Sequence, residues 1–166
     1  MTKVLAGHQA PTFALNGTNG QPFSLADALR KGPVVAAFFK ISCPVCQFTL
    51  PFLERLYETY GDDRVSFVAI SQDNKRDTKE FCAEYDLSFP TVLDSDGYPV
   101  SNQYGLTNVP TVFLIEPSGK VSVSSIGFSK ADLEKISSEV ARHLGRSPAP
   151  VFRPDEVVPE IGRAHV

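Results

Sequence analysis

The stretch "FFKISCPVCQFTLPFLERL", residues 38–56, constrains the fold more than any other part of the chain. A continuous apolar run, "PVVAAFFKI" over 33–41, leads into two cysteines separated by two residues, and a helical pattern follows. Unbroken apolarity bounded by proline is the pattern of a strand buried on both faces, which needs helices on each side of a sheet. Beyond Cys43, the residues Phe48, Phe52, Leu53, Leu56 and Tyr60 recur at helical spacing, and Gly61 ends the pattern. Cys43 and Cys46 therefore fall where a buried strand passes into its helix. In open α/β sheets that carboxyl end of a strand is where sites are built.

The remaining chain supplies partners for such a strand. Short apolar alternation around Asn16-Gly17 and Asn19-Gly20 predicts a β-hairpin near the N-terminus, followed by a short helix over 26–31. "RVSFVAIS" over 64–71 reads as a second buried strand, 78–85 as a helix, 91–93 as a short strand and 100–104 as a helical turn. "VPTVFLIEPSGKVSVSSIGF" contains two strand patterns joined at Pro117-Ser118-Gly119, and Ser129 opens a last helix that runs to about Leu144. Alternating strands and helices followed by a hairpin imply an α/β fold with a mixed sheet, part parallel and part antiparallel. The natural division is one domain over 1–145 and a proline-rich extension over 146–166, where Pro148, Pro150, Pro154 and Pro159 forbid regular helix. Val151, Phe152, Val157, Val158 and Ile161 make that extension too apolar for a solvated linker, which predicts a strap packed on the domain or on a second subunit.

Composition narrows the partners. A formal charge of −3 with scattered basic residues argues against nucleic acid, and no apolar stretch reaches the length of a membrane span. "MTKVLAGHQAPTF" lacks the long apolar segment of a secretion signal, which predicts a cytoplasmic protein if Met1 is the native start and an extracytoplasmic one if a signal was trimmed. Three cysteines are too few for a disulfide scaffold, and a close pair in a reducing compartment points to catalysis or metal.

The nucleophile in thiol exchange is the thiolate, and the first turn of a helix stabilises negative charge through its free N–H groups and dipole. Cys43 stands at that start, and Cys46 lies about one turn along the same face. Pro44 suits the first turn, whereas Pro51 within the helix removes a hydrogen bond and predicts a kink.

With these residues in view, the chain resembles the thioredoxin-like superfamily, closest to the TlpA/ResA-type thiol–disulfide oxidoreductases that border on the redoxin and AhpC/TSA group. The resemblance rests on "GHQAPTFAL", on "CPVC" at the strand-to-helix junction with Pro51 beyond it, and on "FCAEYDLSFPTVLDSDGYPVSNQYGLTNVPTVFLIEPSGKV". It implies a thioredoxin-like fold: a central mixed β-sheet flanked by helices, with an N-terminal hairpin and a helical insertion. It implies an enzyme with antioxidant-type thiol chemistry, no bound cofactor and no metal. Cys43 would be the nucleophile, Cys46 the resolving thiol, and Pro110 a cis-proline whose preceding residue, Val109, pairs with substrate. Pro44, Val45, Phe39 and Ile41 are expected to add an apolar docking surface. The expected partners are a protein disulfide or dithiol and a separate redox partner, and the protein is expected to be a monomer or homodimer.

The chain departs from such relatives at three helper positions. Ser42 stands where many have Trp before the first cysteine, Thr49 where TlpA-type relatives have Glu, and Ala37 where thioredoxin has a buried Asp. Lys40 is the remaining candidate for stabilising a thiolate. A thiol peroxidase is the nearest rival, but neither cysteine is preceded by the Pro-x-x-x-Thr/Ser-x-x-Cys pattern, and 107–126 contains no arginine. A Cu(I) carrier is the non-enzymatic alternative. It has only two thiols to use, and His8, His143 and His165 lie near the chain termini. Cys82, beside Phe81 and Tyr85, is expected in the core, with a third exchanging thiol as the sharper reading.

Overall fold

The computed structural model describes residues 3–162. An antiparallel hairpin of β1 (Ala14–Asn16) and β2 (Pro22–Ser24) leads into the short helix α1 (Leu25–Leu29), whose N-terminus is capped by the Ser24 hydroxyl. The central strand β3 (Val34–Phe39) and the cysteine-bearing helix α2 (Pro44–Tyr60) follow. Then come β4 (Ser66–Ser71), α3 (Lys75–Glu84), β5 (Thr91–Leu93) and α4 (Pro99–Gln103). The hairpin β6 (Thr111–Ile115) and β7 (Val121–Ile126), the two-residue β8 (Phe128–Ser129) and α5 (Lys130–His143) complete the body, and β9 (Ile161–Gly162) lies in the tail.

The five-stranded sheet has the order β5-β4-β3-β6-β7, parallel from β3 to β5 and antiparallel across β6 and β7. All six residues of β3 are buried, as its unbroken apolarity requires. The two-residue period divides them between two cores. Val35, Ala37 and Phe39 pack on the side of α2 and α5, while Val34, Ala36 and Phe38 face the side of α1 and α4. Phe38 meets Tyr104 and Phe113 there, and Phe39 meets Phe81 of α3. Each buried ring contributes roughly 2–3 kcal/mol, which ties both helical layers to one strand.

Two expectations change. Helix α3 begins at Lys75, three residues before the predicted start, because the Asn74 side chain accepts the Asp77 N–H and caps it. Helical spacing groups Phe48 with the buried stripe of α2, but it is 40 % exposed, its ring edged against Phe52 and Phe128. Pro51 lies inside α2, which runs from Pro44 to Tyr60.

The tail packs on its own chain. Val151 is buried, the Phe152 ring packs tilted on Phe52 and edge-on to Phe128, and Arg55 grips the Glu156 carboxylate through both terminal nitrogens at 2.7 and 2.6 Å. The Tyr60 hydroxyl accepts the Ala149 N–H at 2.7 Å, and β9 pairs antiparallel with β8. Helix α2 is also anchored on its other flank. The buried Glu54 carboxylate accepts the N–H groups of Ser88 and Phe89 and the Ser88 hydroxyl.

Candidate active site

Residues Lys40–Ser42 turn the chain from the carboxyl end of β3 into α2, and Cys43 is the N-cap of that helix. Its sulfur accepts the backbone N–H of Cys46 at 3.2 Å, the task an Asp or Ser oxygen performs at other caps. Pro44 occupies the first turn, where its missing N–H leaves no partner wanting. Cys43 is partly exposed and Cys46 fully buried, and both are free thiols.

The third component comes from across the sheet. Because β6 runs antiparallel to β3 with Thr111 opposite Phe38, the residue before β6 lies beside the start of α2. That residue is Pro110, joined to Val109 by a cis peptide bond. The Val109 carbonyl accepts the Cys43 thiol at 3.5 Å, and the Pro110 carbonyl accepts the Gly127 N–H at 2.8 Å. Cys43, Cys46, Val109 and Pro110 are thus one cluster.

Burial pushes the Cys46 thiol well up from its ordinary range. The neighbouring Cys43 raises it further, the Lys40 backbone N–H opposes the rise, and the Asp73 charge adds to it. An exposed sulfur at a helix start and a buried, protonated sulfur one turn later can divide exchange between an attacking and a resolving thiol.

Several predicted helpers sit elsewhere. Phe39 is completely buried because β3 is covered on both faces, and Val45 of α2 is 7 % exposed because it packs into the core beneath that helix, so neither presents a docking surface. Pro44 is exposed, and Val109 and Ile41 are partly so. Phe48 and Ile126, at 40 % and 42 % exposure, extend the apolar rim instead. Ile126 pairs with Thr111 and so borders the cis-proline loop. The Lys40 side chain points to solvent, and only its backbone serves the site. Thr49 is buried with its hydroxyl unpartnered. Cys82 is half-buried on α3, 3.7 Å from the Thr91 hydroxyl, and burial pushes its thiol up. Among the described residues no group of three or more His, Cys, Asp or Glu side chains could hold a metal ion, and His165 lies outside them.

Sequence reasoning missed Asp73, whose carboxylate accepts the Ile41 N–H at 2.8 Å, and Gln47, whose side chain donates to the Ile41 carbonyl at 2.9 Å. A signal was present, since "QDN" follows β4 at the same carboxyl edge of the sheet as the cysteines.

Comparison with known proteins agrees with this geometry. Residues 6–124 match the AhpC/TSA family model. A thiol-disulfide oxidoreductase ResA of Bacillus cereus is 32 % identical over 126 residues, 75 % of this chain and 72 % of that protein. ResA of Halalkalibacterium halodurans is 34 % identical over 133 residues, 79 % and 74 % of the two chains. Among solved structures, a chain designated thiol:disulfide interchange protein DsbE from Chlorobium tepidum superposes with a TM-score of 0.75 at 29 % identity, covering 86 % of this chain and 100 % of that one. The family match, the similarity to ResA and the shared thioredoxin-like fold lead to one conclusion: this chain belongs to the AhpC/TSA family and is a thiol–disulfide oxidoreductase.

Proposed function

We propose that Cys43 is the nucleophile and Cys46 the resolving thiol, acting on a protein disulfide. The observation that carries this is the partly exposed Cys43 sulfur at the N-cap, with the Cys46 N–H at 3.2 Å and the Val109 carbonyl at 3.5 Å. In the reductive direction the Cys43 thiolate attacks one substrate sulfur, forming a mixed disulfide and expelling the other sulfur as thiolate. Cys46 then loses its proton and attacks Cys43. The Cys43–Cys46 bond forms, the bond from Cys43 to substrate breaks, and the second substrate sulfur leaves as thiolate to be protonated from solvent. The substrate is reduced by two electrons and the protein oxidised by two; the reverse sequence oxidises a dithiol.

Substrate docks on the rim formed by Val109, Pro44, Ile126 and Phe48, with Pro110 beside it. One chain supplies this whole cluster, so the chemistry needs no second copy, and a separate redox partner resets the pair. A peroxidase reading is weaker. The Cys43 sulfur has the Cys46 N–H and the Val109 carbonyl as its hydrogen-bond partners, and the cis-proline side of the site carries no arginine over 107–126.

Equilibration with glutathione buffers, followed by thiol trapping and mass measurement, tests the assignment. The native protein should form the Cys43–Cys46 disulfide reversibly, Cys46→Ser should accumulate a mixed disulfide on Cys43, and Cys43→Ser should not react at this site. A mixed disulfide that collects on Cys46 in the Cys43→Ser protein would reverse the roles. Catalytic peroxide consumption with disulfides ignored would replace the reading.

A further inference from the structure

The helper positions Ala37 and Thr49 carry no ionisable group, yet the buried Cys46 must release a proton before it can resolve a mixed disulfide. A built-in charge that acts on Cys46 lies in the turn after β4. Asp73 is fixed there: its N–H donates to the Ser71 hydroxyl at 3.0 Å, and its carbonyl accepts the Thr78 hydroxyl at 3.4 Å. Ser71 and Thr78 are fully buried and bonded to each other at 2.7 Å.

From this platform the Asp73 carboxylate accepts the Ile41 N–H at 2.8 Å while Gln47 of α2 donates to the Ile41 carbonyl at 2.9 Å. Ile41 is held on both backbone groups. The grip fixes the residue before it, Lys40, whose carbonyl accepts the Cys43 N–H at 3.3 Å and whose N–H faces the Cys46 sulfur. One carboxylate thus orients the loop that contacts both thiols.

We propose that Asp73 is a positioning residue of the exchange reaction, its carboxylate holding the 40–42 loop against both cysteines and its charge slowing resolution by Cys46. Charge reaches Cys46 from several elements. Its own helix supplies Cys43, and the turn after β4 supplies Asp73; both disfavour the Cys46 thiolate. At the end of β3 the Lys40 ammonium is in solvent, and the cis-proline side presents the uncharged Val109. Asp77, Glu80 and Glu84 of α3 line a groove beyond Ile41 and Gln47, further along the same side. Asp73 therefore acts as a brake on ionisation and a clamp on geometry together.

The inference rests on Cys46 as the resolving thiol, and stopped-flow reaction of the reduced protein with dithiobis(nitrobenzoate) separates the two claims. In a Cys82→Ser background, attack by Cys43 releases the first chromophore and resolution by Cys46 the second. Asp73→Asn keeps an oxygen for the Ile41 N–H and removes the charge. Its second phase should move to lower pH at an unchanged plateau and run faster than the parent's at neutral pH, since the Asp73 charge raises the Cys46 thiol. Asp73→Ala also loses the clamp, so its plateau should fall as well; if it does not fold, Asp73→Asn alone decides. A second phase of Asp73→Asn that superimposes on the parent at every pH overturns the inference. A parent with no second phase sinks the assignment of Cys46 instead.

Discussion

Replacing Glu54 by alanine tests how the cysteine-bearing helix is held. Glu54 is 6 % exposed, has no cation beside it among the described residues, and accepts three hydrogen bonds from Ser88 and Phe89. Ser88 is solvent-exposed, so water replaces its two bonds in part, and about 1 kcal/mol is lost there. Phe89 is 5 % exposed, and orphaning its N–H costs roughly 1–2 kcal/mol. The lost side-chain packing adds about 1 kcal/mol, so Glu54→Ala should lose about 3–4 kcal/mol. Glu54→Gln keeps the shape and one acceptor oxygen and should lose about 1 kcal/mol. With a urea slope of about 2 kcal/mol per molar, the alanine midpoint falls by roughly 1.5–2 M and the glutamine midpoint by about 0.5 M. Cys46 is two helical turns away, so the chromogenic exchange rate of the folded alanine protein should match the parent. An alanine midpoint within about 0.5 M of the parent would refute the reasoning, as would a glutamine protein equally destabilised, since that would make charge and not acceptor count decisive.

Other perturbations reach other parts of the fold. The Arg55 guanidinium holds the Glu156 carboxyl down to about 2, so the clamp's contribution is complete above the ordinary carboxyl range and is lost as pH falls toward that value. Pepsin cleavage near Phe152 should accelerate over that fall in the native protein, while Glu156→Gln should be cut rapidly throughout; identical curves would argue against the clamp. Ile126→Ser should lower kcat/KM for a protein disulfide about fivefold, the loss of roughly 1 kcal/mol of apolar contact, and leave the small chromogenic disulfide unaffected. A Cβ on Gly32 would lie 1.7 Å from the Arg64 carbonyl oxygen, a backbone atom that cannot yield. Gly32→Ala should therefore lower the Tm by roughly 10 °C or more, as read by circular dichroism.

The elements legible in the sequence were those whose local chemistry agrees with their packing. The run 34–39 could only be a strand covered twice, and Cys43-Pro44 could only open a helix in the first turn. The Ser129 cap and the turn at Pro117-Ser118-Gly119 were equally plain. The start of α3 was obscured because Lys75, Arg76 and Asp77 carry no apolar period, and Asn74 marks it only through its cap. The pairing of β9 with β8 involves two residues on each side, too few for alternation to register. At the site, proximity in sequence was a poor guide to exposure. Phe39, four residues before Cys43, is sealed beneath the helices, whereas Ile126 reaches the rim through strand pairing. Asp73 escaped because a carboxylate acting on a backbone N–H leaves no motif.

The tail contacts have a bearing on how the protein is made. Arg55 meets Val151 and Glu156, and Tyr60 meets Ala149, across separations of 96, 101 and 89 residues. On a ribosome these partners emerge long after α2, so the ridge of Phe52 and Phe128 stays bare while the rest of the domain condenses. Until residues 149–156 are synthesised and free to fold back, the nascent chain leaves that apolar surface open to water.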